Sequence, residues 1–333
     1  MLFRSLANGR TKWIVADQDR APASPPQHAT LVTSLQEALR RAEDGDCIAI
    51  FPGVYRGRFN ISKDIRLVGF GNKDDRAVLT GDDQAVVVDV EGSPRIENLV
   101  IESRDPGHAL RVCVDAAPIF VRCVIERQQI AKDHKACLHI SGGANPTFLA
   151  CTIWGGYCPA VHFATKGNGV FQSTDVFARE ADAIVVQGGC RPRFDRCSIS
   201  ASDGHAVVNK TNASALFENC SLKATGCSTV VNFDNAYSKF IANRLSVRNG
   251  SLIEIKDFGV GRFERNRLEP DPEAAVLSQM QAVERKRLFP RKDRLRPIPP
   301  PIAVSVRHRA RFAQNLLPDG SEATPTVFAA QAH

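Results

Sequence analysis

Three basic side chains occupy equivalent places in a sequence that repeats itself. Arg111, His139 and His162 each sit between apolar neighbours, as in Leu138-His-Ile140 and Val161-His-Phe163. Such alternation marks a short strand with one face buried, and its middle residue points away from the core. Stacked on one another, the three would form a basic row on an outer wall, suited to a small anion or a sugar acid. Extended both ways, the row reads Val87, Arg111, His139, His162, Val185, Val208, Val231 and Glu254. It holds a single carboxylate, remote from the basic members. Acid–base cleavage of a glycoside wants two carboxyl groups about 5–9.5 Å apart. The row therefore predicts binding without catalysis, and no catalytic residue is assigned.

Other chemistry is less well supported. His134, Cys137, His139, Cys158 and His162 bring metal-capable atoms into one neighbourhood. They lack Cys-x-x-Cys or any regular ligand spacing, so no metal and no cofactor is expected. Two histidines on a solvated strand face are more often only that. Asp203-Gly-His205 reads as a turn before it reads as a dyad.

What must position the row is a repeat of 23 residues, seen in Phe148, Phe171, Phe194, Phe217, Phe240 and Phe263. Looser copies reach back through Phe120 to Ile96. An aliphatic column runs Ile101, Ile125, Ile153, Val176, Ile199, Leu222, Leu245 and Leu268. A further apolar column runs Val86, Leu110, Leu138, Val161, Ile184, Val207, Val230 and Ile253. A fixed period of this length signals a solenoid. Its segments are too short for helices, rich in Val, Ile and Phe, and separated by Gly, Asn, Asp and Pro, as in Gly142-Gly143-Ala-Asn145-Pro146. One coil of a parallel β-helix fits, with matched side chains stacked about 4.8 Å apart.

The chain of 333 residues is thus one elongated all-β domain with ends of different character. Residues 1–30 are an N-terminal extension, 31–269 the solenoid, and 270–333 a capping helix with a basic, Pro-rich tail. Ser34-Leu-Gln-Glu37 has capping-box form, followed by Leu35, Ala38, Leu39 and Ala42 at helical spacing. That short helix would plug the open end of the apolar column. Beyond Leu268 the columns stop. Asp271 and Pro272 would start a second helix, with Val276, Met280 and Val283 closing the far end. Residues 284–311 hold ten Lys or Arg and two acids, more than the whole chain's net charge of +7. The basic character belongs to that segment. Arg285, Lys286, Arg287, Arg291, Lys292, Arg294 and Arg296 are its candidate partner-binding residues, suited to an acidic protein surface. Nucleic acid ranks lower, since only Phe289 and Phe312 could stack on bases there.

No run approaches a membrane span. No apolar signal segment opens the chain, so a cytoplasmic location is expected, with a mitochondrial presequence left open by Arg4, Arg10 and Lys12. Four of the ten cysteines, Cys123, Cys151, Cys197 and Cys220, share one repeat position, where a free thiol acts as a small hydrophobe. The step from Cys123 to Cys151 is longer than its neighbours, with extra residues within 127–135. Insertions of this kind protrude and often sit on a binding face.

The run Gly45-Asp-x-Ile48-x-Ile50-x-Pro52-Gly53-x-Tyr55, then Ile65-x-Leu67-x-Gly69-x-Gly71, resembles the opening of pectin-lyase-like right-handed β-helices. The Pro-x-Phe-x-x-Cys-x-Ile coils resemble the carbohydrate-binding and sugar-hydrolase repeats of β-helix F-box proteins and the SHC-SH2-domain-binding protein. The resemblance covers about residues 30–268 and implies a single-stranded right-handed parallel β-helix. It also sets limits: where pectin methylesterases carry a Glu two residues after their Gly-x-Tyr, this chain has Gly57, and Asp82-Asp83 lies in an early turn, away from a central strand. The leading expectation is a non-enzymatic scaffold docking onto protein partners, with a cytoskeletal or ciliary setting. The alternative is a carbohydrate-binding or polyuronate-active enzyme, whether lyase, hydrolase or esterase.

Overall fold

The computed structural model describes residues 11–16, 28–72, 75–81, 86–104, 106–128, 135–269, 302–305, 311–323 and 326–328. Short strands assemble into three parallel sheets of 13, 10 and 11 strands, the walls of a right-handed β-helix. One coil shows the plan: Val170–Gln172 lies in the 13-stranded sheet, Asp175–Ala178 in the 10-stranded sheet and Ile184–Val186 in the 11-stranded sheet. The expected columns pair in register, with Leu138 opposite Val161, Ile184 opposite Val207 and Phe148 opposite Phe171. The phenylalanines form one pile. From Phe120 to Phe240 successive ring centroids lie 4.7–4.8 Å apart, and each ring from Phe120 to Phe263 is wholly buried.

Phe-x-x-Cys-x-Ile spans two strands that meet at a sharp corner. The corner residue adopts left-handed backbone in successive coils, at Asn98 (φ 55°), Arg122 (53°), Ala150 (52°), Ser173 (50°), Arg196 (52°), Asn219 (54°), Ala242 (55°) and Arg265 (54°). Its amide donates to the coil above, as from Arg122 to the Leu149 carbonyl at 2.9 Å. The next residue faces inward. There Asn243 Oδ1 accepts from the Cys220 amide at 2.8 Å while its Nδ2 donates to the Phe217 carbonyl at 3.0 Å. Asn266 and Asn315 continue the ladder, Asn266 Oδ1 accepting from the Asn243 amide at 2.9 Å and Asn315 Oδ1 from the Asn266 amide at 3.1 Å. Cys123, Cys151, Cys197 and Cys220 fill the same place in earlier coils, buried and free.

A second corner takes two left-handed residues, supplied by Gly142-Gly143 and Gly188-Gly189 in some coils and by Val114-Asp115 or Thr165-Lys166 in others. A β-branched residue there is strained. Val114 is also 65% exposed, so its side chain returns little packing. Val114→Gly is therefore expected to stabilise the fold by about 1 kcal/mol, the relief of left-handed strain exceeding glycine's entropy cost. A rise in the urea midpoint at unchanged slope checks it.

At the N-terminal end the helix Leu35–Arg41 buries Leu35, Ala38 and Leu39, and Ser34 Oγ accepts from the Glu37 amide at 3.3 Å. All three belong to the solenoid's apolar core. Part of the presumed extension is solenoid wall, because Thr11–Val15 pairs with Cys47–Ile50 and with Thr30–Val32. Trp13 is buried beneath the Arg41 guanidinium, 4.6 Å from its ring centroid. The other end corrects the expectation that the columns stop at Leu268. Ile302–Ser305 and Arg311–Ala313 extend two of the sheets, and Phe312 stacks on Phe263 at 5.1 Å. The stack resumes after residues 270–301 instead of ending before them. The expected helix from Asp271 to Val283, the insertion residues 129–134 and Arg285, Lys286, Arg287, Arg291, Lys292, Arg294 and Arg296 lie outside the described residues. Among those described, no helix is long and apolar enough to cross a membrane.

Candidate functional site

The central residues of the 11-stranded sheet run outward in the order Asn60, Asp89, Arg111, His139, His162, Val185, Val208, Val231 and Glu254. Arg111, His139 and His162 are therefore brought together as expected. Val87 does not precede them. Leu110 pairs with Val88, not with Val86, so Asp89 is the neighbour of Arg111 and Val87 is buried. The expected row, with its one carboxylate far from the basic members, is corrected: a carboxylate stands directly beside Arg111.

Asp89 is 1% exposed. Arg111 donates through Nε to its Oδ1 at 2.9 Å and through Nη2 to its Oδ2. Arg58 lies 3.5 Å from the same Oδ2. A buried carboxylate of this kind needs such partners, since an unpaired one costs several kcal/mol by order of magnitude. In return it fixes the plane of Arg111, whose side chain remains 36% exposed. Hydrogen bonding to Asp89 holds the Arg111 guanidinium above its ordinary range.

Beside this pair stand three imidazoles. His108 stacks on His139 with centroids 5.0 Å apart, and His139 lies 5.3 Å from His162. His108 Nδ1 is 2.6 Å from the Ala136 carbonyl. A carbonyl can only accept, so that nitrogen carries the proton and Nε2 is the free base. Burial first, then His108, His162 and Arg111, push His139 down to about 4. Burial also lowers His108, and lowers His162 with help from Lys210. His139 Nδ1 is buried with no hydrogen-bond partner. At neutral pH the row thus presents a clamped guanidinium and three uncharged imidazoles. Glu254 sits beyond three valines, held by Ser228 at 3.1 Å and Lys256 at 2.9 Å, and takes no part.

Asp89 was readable in principle, because Val88-Asp-Val90 shows the same alternation as the later strands; an irregular spacing hid it. His108 left no periodic signal. Cys137 and Cys158 are buried, and among the described residues no three His, Cys, Asp or Glu side chains are placed to hold a metal ion together. In the Asp203–His205 turn, the His205 amide donates to Asp182 at 2.9 Å and His205 Nδ1 to the Ser228 carbonyl at 2.9 Å. Asp82 and Asp83 lie outside the described residues.

The right-handed β-helix region family matches residues 75–222 and, in an overlapping second match, 136–278. The chain belongs to the right-handed β-helix family. Among solved structures this β-helix is similar to pectate lyase Pel9A, at a TM-score of 0.56 and 12% identity over 80% of this chain and 78% of that one. Pectin methylesterase from carrot follows at 0.48 and 14%, covering 79% and 83%. The enzyme of that name from Yersinia enterocolitica stands at 0.46 and 16%, covering 66% and 81%. At such identities the likeness is one of fold. No protein of curated function matches by sequence.

Proposed function

We propose that this β-helix acts on a uronate-bearing polysaccharide laid along the outer face of its 11-stranded sheet. The observation behind this reading is the Asp89–Arg111 pair flanked by neutral imidazoles on successive coils. A guanidinium held in one plane is matched to a sugar carboxylate, which it binds through a fork of N–H groups. A neutral imidazole offers a free ring nitrogen as proton acceptor, and a sugar carboxylate bound beside it favours the protonated form. Together they fit elimination next to a carboxylate. Arg111 offsets the carboxylate charge and an imidazole takes the adjacent carbon-bound proton. The freed electron pair forms a carbon–carbon double bond, and the glycosidic oxygen leaves, protonated by solvent. A pectate lyase shares the fold, which favours this substrate class among acidic polymers. The scaffold reading draws on no observation among the described residues.

The test is incubation of the folded chain with polygalacturonate, pectin and alginate, following binding and the ultraviolet absorbance of unsaturated ends. One of the three is expected to bind and yield such ends, with at least about tenfold loss in His139→Gln. Arg111→Ala alone would strand buried Asp89, so the matched variant is Asp89→Asn with Arg111→Gln, which removes both charges together. It should fold and not bind. Neither binding nor product from any of the three polymers with wild-type chain overturns the reading.

A further inference from the structure

The outer face of the 10-stranded sheet carries a second organised row. In register across five strands it reads Thr80, Glu102, Glu126, Trp154 and Phe177. Two carboxylates stand on adjacent strands, the strands being about 4.8 Å apart by sheet geometry, and two aromatic rings continue the line. Trp154 is 37% exposed, and its ring lies 6.4 Å from that of Phe177. Single exposed aromatics are unremarkable on protein surfaces; a registered pair next to a registered pair of acids is not a scatter.

Three further features point to a ligand. Thr80, at the head of the row, is 2% exposed, and its hydroxyl has no hydrogen-bond partner. A buried hydroxyl left this way costs free energy unless something completes it. The register slips between Trp154 and Gly156, a bulge opposite Phe177 and Ala178. Bulges re-aim side chains and recur beside binding sites. Glycine is required there, because a Cβ at Gly155 would lie 2.4 Å from the Cys158 carbonyl. Just past the bulge, Tyr157 presents its ring to Arg179 at 5.6 Å, a further flat aromatic at the margin.

The acids also have distinct surroundings. Glu102 is 5% exposed and ion-paired with Arg104. Glu126 accepts from Gln128 Nε2 at 3.2 Å, and burial with Glu102 nearby raises its carboxyl above the usual range.

We propose that Trp154 and Phe177, with Glu126, Glu102 and Thr80, form a binding site for a neutral oligosaccharide on the 10-stranded sheet. Ring faces stack on the apolar C–H faces of sugars, and carboxylate oxygens accept from their hydroxyls. Paired carboxylates repel a polyanion, so a polyuronate is excluded here. The site lies on a different sheet from Arg111 and stands or falls apart from the function proposed above.

The chain's two tryptophans make the test direct, since Trp13 is buried and Trp154 exposed. Cellohexaose, mannohexaose and xylohexaose are titrated into the full chain, following tryptophan fluorescence and heat. At least one is expected to bind and shift Trp154 emission. Trp154→Ala and Phe177→Ala should each weaken binding about tenfold or more, Trp154→Phe less, and His139→Gln not at all. Both rings are surface groups, and circular dichroism checks that the variants fold. Binding of none of the three at millimolar concentration overturns the proposal. So does binding unaffected by Trp154→Ala, or binding of polygalacturonate that Trp154→Ala abolishes.

Discussion

Phe217→Ala is expected to destabilise the protein by about 3–5 kcal/mol, the range for removing a fully buried phenylalanine from a core that relaxes only in part. Phe217 sits between Phe194 at 4.7 Å and Phe240 at 4.8 Å, with the planes nearly parallel. Both neighbours lose a stacking partner at once, and the backbone on either side is held by the Cys220–Asn243 rung, which resists collapse into the void. Coils in a solenoid touch only their neighbours. The damage should therefore divide the rod, leaving the coils after Phe217 less protected from hydrogen exchange than those before Phe148. Phe258→Ala is the control, at 61% exposure and an expected change within about 0.5 kcal/mol. A cost for Phe217→Ala below about 1 kcal/mol would mean the pile contributes little.

Acid should weaken the fold through the histidine stack before it reaches the carboxylates. His139 has a folded value of about 4 against an ordinary 6.5. Below 6.5 the unfolded chain takes up a proton that the folded chain refuses, so stability falls as pH drops from about 6.5 to about 4 and then levels off for this group. The full shift corresponds to roughly 3 kcal/mol, reduced to about 2 because the ring is partly open to water. His108 and His162 move the same way. Glu97 and Glu264 have lowered values, so their contribution is lost only below about 4.5. Glu126, raised, acts in the opposite sense as pH climbs past 4.5. Between 6.5 and 4.5 the imidazoles remove stability as pH falls, and Glu126 works against them from the lower end of that interval. Urea unfolding across it should show a slope that His139→Gln flattens, and an unchanged slope would place that ring in water. A bound polyuronate should oppose the trend, since its carboxylates favour the imidazolium.

Much of this was legible in the chain itself, for a definite reason. Between Leu138 and Leu268 a strict period makes each inward residue rest on its copy, so Phe148, Phe171 and Phe194 announce the architecture. Where the period breaks, side-chain type carries no register. The strands at Phe59, Val88 and Leu110 pair across unequal spacings, and a column drawn through Val86 misses Asp89. The left-handed corner was hidden for another cause. Arg, Ala, Ser and Asn occupy it in turn, because its geometry is imposed by the ladder and not by local preference. Trp154, Phe177 and Glu126 each lie one place beyond the legible aliphatic column at Ile153, Val176 and Ile125, and alternation alone puts them outside. What no pattern could supply was which outward residues share burial and charge.

Phe263 and Phe312 touch although dozens of residues separate them, whereas every other neighbouring pair from Phe148 onward is one repeat apart. Joining them requires a long stretch of chain to return to its starting point, an entropic toll that rises with the logarithm of its length. On a ribosome the coil of Phe312 cannot form until that residue has emerged, so growth of the rod pauses at the coil of Phe263. Tied to the rod across the longest step in the pile, that coil should be the first to peel away on warming and uncover the ring of Phe263.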